Sequence, residues 1–231
     1  MKTIGLLGGM SWESTVGYYR AINEGVKKAL GGLHSAKIVL YSVDFSPIEK
    51  MQARGDWAGM AEILSEAARG IHSAGADFLL ICTNTMHKVA PEIEKAIQIP
   101  ILHISDATAE ALLKDGVKTV GLLGTAFTME QDFYRGRLEK KHGLEVLVPD
   151  AAGRKTVHNT IYSELCLGKI SPESRADFIR IIESMAEDGA EAVILGCTEI
   201  GILVRQKDTK VKLYDTTAIH AAKAVEYALR S

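Results

Sequence analysis

Lys2-Thr3-Ile4-Gly5-Leu6-Leu7-Gly8 opens the chain, and Lys118-Thr119-Val120-Gly121-Leu122-Leu123-Gly124 opens its second half. A second pair of segments follows the same rule. Gly75-Ala76-Asp77-Phe78-Leu79-Leu80-Ile81-Cys82-Thr83 lines up with Gly189-Ala190-Glu191-Ala192-Val193-Ile194-Leu195-Gly196-Cys197. The offsets are 116 (from 2 to 118) and 114 (from 75 to 189). Two segments that keep nearly the same spacing imply two copies of one βα unit. In this alignment Thr83 falls opposite Cys197, so a pseudo-symmetric protein would set a hydroxyl and a thiol face to face across a cleft.

Working outward from the repeat, short apolar runs rich in β-branched residues alternate with amphipathic stretches, the pattern of an α/β protein. Strands are expected near 3–8, 37–43, 77–82, 100–103, 118–123, 144–148, 191–196 and 211–214, apolar on both faces as buried parallel strands are. Helices fit 14–30, 57–74, 88–97, 106–115, 128–142, 155–167, 172–188 and 216–230. Ser11 or Ser14 suits the start of the first helix, Pro172 the first turn after Ser171, and Thr216 or Thr217 the start of the last. The fold expected is α/β with two pseudo-symmetric domains, each a parallel sheet flanked by helices, and an active site in the cleft between them. The first domain takes residues 1–104 plus 215–231, because the last helix is expected to return to it, and the second takes 105–214.

The 231 residues are enough for two such domains, and 47% hydrophobic with 24% charged residues is ordinary for a globular chain. Net charge is −2, with basic residues dispersed and no aromatic–basic interleaving, which argues against nucleic acid. No run approaches the ~20 apolar residues of a membrane span. The N-terminus lacks the length and cleavage pattern of a signal peptide, so a cytoplasmic protein is expected. Cys82, Cys166 and Cys197 form no CxxC and no metal-ligand spacing, so no metal is expected. For Cys166 an ordinary helix thiol is the simplest reading.

Three strand ends carry chemistry. Gly8-Gly9-Met10-Ser11-Trp12-Glu13-Ser14-Thr15 joins a strand to a helix. Two glycines let backbone approach a ligand, and free N–H groups at a helix start favour an anion; a plain tight turn explains the segment equally well. It has neither GxGxxG nor GxxxxGK[ST] spacing. Cys82-Thr83-Asn84-Thr85-Met86-His87 and Gly196-Cys197-Thr198-Glu199-Ile200 each follow an apolar strand at its carboxyl end, where open α/β sheets bind ligands. Thr, Asn and Glu there offer donors and acceptors to a small polar molecule. A cysteine between a strand and a helix start also sits where thiolate is favoured.

With Gly196-Cys197-Thr198-Glu199-Ile200, Asn84-Thr85-x-His87 and Gly8-Gly9-Met10, the chain resembles the cofactor-independent aspartate/glutamate racemase superfamily, nearest its aspartate racemase branch. The resemblance spans essentially the whole chain. It implies two cysteines, one per half, on opposite faces of the substrate Cα: one removes the α-proton and the other delivers a proton, with no pyridoxal phosphate and no other cofactor. Carried over, the second cysteine is Cys197. The first falls on Thr83, because the family's Cys-Asn-Thr reads here Thr83-Asn84-Thr85. Cys82 is adjacent, but side chains alternate along a strand, so it points away from Thr83's face unless a local bulge presents it. Dimers are common in this family, which makes a homodimer one assembly the resemblance implies.

The substitution changes the expected chemistry. A thiol titrates near pH 8.5 and is lowered at a helix start, whereas a threonine alkoxide needs strong activation. Cys197 can therefore serve as base, and Thr83 passes on a proton or positions a water; the resemblance implies that the cysteine of the second half works on the L isomer. Without an electron sink, fixed donors must stabilise charge on the substrate carboxylate: main-chain N–H groups after Met10, Thr83 and Cys197, and the side chains of Asn84, Thr85 and Thr198. In the resembled family a basic residue after the second strand holds the side-chain carboxylate. The corresponding stretch, Ser46 to Arg54, points to Gln52, with Arg54 and Lys50 behind it. A neutral amide binds a second carboxylate less tightly and admits other side chains. Lys169 is an alternative source of charge, or a solvated turn lysine. Glu199 suits either the substrate ammonium or the first turn of the following helix. His87 suits a packing or supporting role, and His103, Asp106 and Asp44 also lie near strand ends. Competing readings are a hydantoin racemase, a malonate-type decarboxylase or a maleate isomerase on the same scaffold, and a non-catalytic ligand-binding protein. Asn84-Thr85 with Thr198-Glu199 suits an amino acid better than an amine-free diacid.

Overall fold

The computed structural model describes residues 1–230, which fall into two compact units: Met1–Ile104 with the segment from His220 onward, and Ser105–Ile219. Each unit is a parallel sheet flanked by helices.

Unit 1 contains β1 (Ile4–Gly8), α1 (Trp12–Leu30), β2 (Ile38–Ser42), α2 (Phe45–Arg54), α3 (Trp57–Ser73), β3 (Phe78–Ile81), a 3₁₀ turn (Thr85–Val89) and α4 (Ala90–Ala96). Its strand order is β2-β1-β3, all parallel. One face of the sheet presents Ile4, Leu6, Phe78, Leu80 and Cys82 to Tyr18, Ile22 and Val26 of α1 and to Ala221, Ala224, Val225 and Ala228. The other presents Leu7, Leu79 and Ile81 to Met60, Leu64, Ala68 and Ile71 of α3 and Ile93 of α4. Each such fully buried aliphatic contributes about 1.5–3 kcal/mol relative to exposure.

Unit 2 contains α5 (Ile104–Lys114), whose first residue closes unit 1, then β4 (Thr119–Leu123), α6 (Ala126–Glu130), α7 (Arg135–His142), β5 (Glu145–Leu147), α8 (Ala151–Ser163), α9 (Pro172–Glu187), β6 (Ala192–Leu195), α10 (Ile200–Leu203) and β7 (Lys212–Asp215). The order is β5-β4-β6-β7, again parallel. The final helix α11 (Thr216–Leu229) starts in unit 2 and belongs to unit 1 from His220 on.

The repeated glycines have a packing reason. A Cβ on Gly5 would lie 2.5 Å from Ile71 Cγ2 of α3, and one on Gly121 would lie 2.7 Å from Met185 Cε of α9. Only hydrogen at that strand position lets the covering helix sit so close. The glycines that end the two copies behave alike. A Cβ on Gly8 would meet Thr15 of α1 at 2.4 Å, and one on Gly124 would meet Thr128 of α6 at 3.0 Å.

Several expectations need correction. Residues 100–103 form one bridge, Leu79 with Ile101, instead of a strand. The helix expected over 128–142 is two helices, separated after Gln131, whose backbone is extended. α2 was unforeseen in the sequence; Pro47 sits in its first turn, where the missing N–H costs no helical bond. β2 is an edge strand with Leu40 and Tyr41 exposed, so it is not apolar and buried on both faces. The last helix is capped by neither Thr216 nor Thr217: Asp215 Oδ1 accepts from the N–H groups of Thr217 and Ala218, while the Thr216 hydroxyl donates to Leu195 O. Among the described residues no helix is long and apolar enough to cross a membrane.

Candidate active site

In unit 1 the carboxyl ends of all three strands lie along one edge of the sheet. Val43 N–H donates to Gly8 O, and Cys82 N–H to Leu7 O, which brings Gly8–Met10, Val43–Asp44 and Cys82–Thr83 side by side. The turn after β1 is held from within the protein. Ser11 caps α1 by accepting from Ser14 N–H, and Gly9 N–H donates to Thr15 Oγ1 at 2.9 Å. Gly9 has φ +92°, and a Cβ there would lie 2.3 Å from Val43 O. The two glycines admit Thr15 and the main chain just beyond β2.

Met10 packs in one apolar cluster with Ile48 of α2 and Met86 of the 3₁₀ turn. Gln52 lies one helical turn beyond Ile48 on the same buried face and is 3% exposed. Lys50 and Arg54 are exposed. Asn84 and Thr85 are buried and Thr83 is half-buried at the end of β3. Cys82 lies in the cluster formed with α1 and α11, Sγ 4.0 Å from Leu80 O, and burial pushes its thiol far above the ordinary range. Alternation along β3 therefore holds: Cys82 faces the core and no bulge presents it. His87 bonds Thr83 O and the Ile104 N–H, and so supports the turn.

In unit 2, Gly196 follows β6 and its N–H donates to Leu123 O at 2.6 Å. A Cβ there would lie 2.6 Å from that same oxygen, so Cys197 leaves the sheet from a point where β4 and β6 touch. The next three residues form a tight cluster. The Cys197 thiol donates to Glu199 Oε2 at 3.0 Å, and the Thr198 hydroxyl donates to the same oxygen at 2.7 Å. Cys197 is 9% exposed and Glu199 3%. Burial pushes the Cys197 thiol well above its ordinary value, and the Glu199 carboxylate pushes it further in the same direction.

This corrects the expected thiolate-favouring helix start. α10 has only four residues, and the nearest charge to the sulfur is negative. Glu199 does not cap that helix with its side chain. The pairing had one sequence signal: a carboxylate two residues beyond the cysteine reaches back when the chain turns at once. Lys169 is exposed after Gly168, in a turn where its N–H bonds Glu164 O, as a solvated turn lysine would be. Asp106, noted near a strand end, belongs to an ion-pair cluster with Arg137, Lys141 and His142. Asp44 caps α2 by accepting from Ser46 N–H.

A surface concavity of ≈ 550 Å³ lies between α8 and α9, lined by Asp150, Gly153, Asp177, Arg180 and Ile181 among others. Asp150 caps α8 there and Arg180 pairs with Asp177, and no cysteine or histidine lines it. The strand ends, with a thiol on a carboxylate, are the better candidate site. Among the described residues no three His, Cys, Asp or Glu side chains group to hold a metal ion.

Comparison with known proteins bears on the family and the fold. The family model for Asp/Glu/Hydantoin racemase matches residues 7–224. The chain is 23% identical over 223 residues to the broad specificity amino-acid racemase RacX of Bacillus subtilis (strain 168), covering 96% of each chain. Its fold superposes on a candidate Asp/Glu racemase of Yersinia pestis with TM-score 0.93 and 56% identity over 100% of both chains. An aspartate racemase homologue of Pyrococcus horikoshii OT3 gives TM-score 0.85 and 35% identity, also over 100% of both. With two repeated parallel-sheet units, a buried thiol at the end of β6 and a family model that spans both units, the chain belongs to the Asp/Glu/Hydantoin racemase family.

Proposed function

We propose that the chain is a cofactor-independent amino-acid racemase acting on aspartate and glutamate, with Cys197 as base on the L isomer and Thr83 handling the proton on the opposite face. The observation that carries this reading is the Cys197 thiol hydrogen-bonded to the Glu199 carboxylate at a strand end. At rest the thiol is protonated, because burial and the carboxylate both oppose the thiolate. Glu199 Oε2 is placed to accept that proton, and the sulfur then takes the α-proton of the L substrate. Charge that develops on the substrate carboxylate is met by Asn84, Thr85 and Thr198 and by main-chain N–H groups beyond Met10, Thr83 and Cys197. Thr83 delivers a proton from its hydroxyl, or through a water, and is restored from solvent, to which Glu199 gives up the proton it took from the thiol.

Gln52, buried beside the Met10 cluster, offers an amide to the substrate's second carboxylate. A neutral partner there favours a broad choice of side chains. Lys169, exposed in its turn, is the weaker candidate for this role.

Enantiomers have equal free energy, so kcat/KM is the same in both directions. The Thr/Cys asymmetry appears instead in exchange: the L isomer loses its α-proton through Cys197 readily, and the D isomer slowly through Thr83. The test is a panel of L and D amino acids in deuterated buffer, with hydantoins and malonates alongside, read by loss of the α-proton signal. L-aspartate or L-glutamate is expected to exchange faster than its enantiomer, and Cys197→Ala to cut exchange by at least about a thousandfold. Thr83→Cys is expected to bring the two enantiomers closer. Exchange confined to hydantoins or malonates, or exchange that survives Cys197→Ala, would overturn this reading.

A further inference from the structure

His87 is 2% exposed and none of the chemistry above uses it. Its two nitrogens report its protonation independently. The Ile104 main-chain N–H donates to Nε2 at 3.2 Å, and a backbone N–H can only donate, so Nε2 carries a lone pair. Nδ1 lies 2.8 Å from Thr83 O, and a carbonyl can only accept, so Nδ1 carries the proton. Both contacts therefore specify the same neutral tautomer. The ring is a rigid spacer of fixed length between the main chain of Thr83 and that of Ile104, the last residue before the chain leaves unit 1.

The far end of this spacer is itself anchored. His103 packs on the His87 ring, with centroids 4.4 Å apart. Leu102 O accepts from His220 Nε2 at 2.7 Å, and His220 Nδ1 accepts from the Tyr18 hydroxyl at 2.8 Å. Tyr18, Ile104 and His220 are fully buried. Leu102–Ile104 is thus held at two points by imidazoles, and one of those imidazoles reaches on to Thr83.

We propose that His87 is a positioning residue: its ring fixes the main chain of Thr83 against Leu102–Ile104 and so sets the place from which Thr83 delivers its proton. This rests on the reading of Thr83 as the proton handler on one face of the substrate. Mere packing would be served by any apolar side chain of similar size, which would leave the Thr83 carbonyl and the Ile104 N–H without these partners.

The experiment separates the two ends of the ring. His87→Asn keeps an amide N–H near the Nδ1 position, within reach of Thr83 O, and loses Ile104. His87→Gln reaches toward the Nε2 position, where its carbonyl accepts from Ile104, and loses Thr83. With L-aspartate in deuterated buffer, exchange with retention reports Cys197 alone, and exchange with inversion also needs Thr83. The ratio of retention to inversion is expected to rise about tenfold in His87→Gln and to stay within about twofold of wild type in His87→Asn. The Ile104 amide is expected to exchange with solvent about tenfold faster in His87→Asn than in wild type or His87→Gln. In the wild-type protein, ¹⁵N shifts of His87 are expected to show the proton on Nδ1. Equal loss of both exchange modes, an unchanged ratio in His87→Gln, or a proton on Nε2 would each overturn the proposal. A wild-type protein that exchanges no amino-acid α-proton would instead remove the racemase reading, and this role with it, an outcome seen before any variant is made.

Discussion

Substituting Gly196→Ala tests whether the contact between β4 and β6 sets the position of the thiol. Gly196 is outside the left-handed backbone region, so alanine suits its conformation and the effect is one of space alone. The new methyl would lie 2.6 Å from Leu123 O and 2.9 Å from Leu122 Cδ1. The oxygen is main chain and cannot rotate away. To restore an ordinary contact, the strand ends must part by roughly half an ångström or more. The same movement stretches the Gly196 N–H bond to that oxygen, now 2.6 Å. Overpacking typically costs about 1–3 kcal/mol and a weakened buried hydrogen bond about 1 kcal/mol, which together give a loss of about 2–4 kcal/mol. Because Cys197 is the next residue, its sulfur shifts as well, and a displacement of that order is expected to slow α-proton exchange by about 10- to 100-fold. Urea unfolding followed by circular dichroism measures the first quantity, and deuterium exchange of L-aspartate the second. A variant within about 0.5 kcal/mol and twofold of wild type would refute the reasoning, since it would mean the strand ends part at no cost to the site.

Gly17→Ala makes the opposite case: it lies within α1 with nothing inside 4 Å of the added methyl, so it is expected to stabilise the protein by about 0.5–1 kcal/mol in the same urea assay, and a loss of stability would contradict this. Glu199→Gln removes a negative charge beside a buried thiol, so the pH profile of Cys197 alkylation by iodoacetamide is expected to move to lower pH, while substrate exchange falls about 10- to 1000-fold for want of the proton acceptor; a profile that stays put or moves up would sink the pairing. Burial pushes His220 down to about 4, despite the opposing bond to Leu102 O, whereas an unfolded histidine titrates near 6.5. The unfolded chain therefore binds the extra proton first, and stability is expected to decline by up to ~3 kcal/mol as pH falls from about 6.5 to about 4. Urea titrations across that window should show the slope, and His220→Gln should flatten it; a slope that the substitution leaves unchanged would assign the effect elsewhere.

The architecture was legible because the duplicated strands carry their own reason for being alike. Ile4 to Gly8 and Val120 to Gly124 repeat because each glycine admits a helix or a threonine at the same place in both copies. Side-chain alternation was enough to bury Cys82 and free Thr83 from that face. Where the reading failed, the deciding contact was non-local or had no local marker. α2 contains Ser46-Pro47 and mixed charges, which resemble a loop until Ile48 and Gln52 are seen to share a buried face. The break before Arg135 has no proline, and no glycine lies within it. What marks it is that a Cβ on Gly136 would collide with Asp132, a contact only the folded turn reveals. The environment of Cys197 was misjudged because a strand followed by a short helical turn suggests a positive helix end. The turn is so tight that Glu199 folds back onto the sulfur before any helix dipole can build.

Helix α11 has a consequence for biosynthesis. Its Ala221, Ala224, Val225 and Ala228 pack with Ile4, Leu6 and Phe78, residues translated well before it. Unit 2 is one uninterrupted stretch, Ser105–Ile219, and is complete once that stretch has left the ribosome. Unit 1 keeps the apolar sheet face that α1 shares with α11 only partly covered until α11 emerges. The half translated first is therefore the half finished last, and a nascent chain stalled short of His220 would present the uncovered part of that sheet face to chaperones.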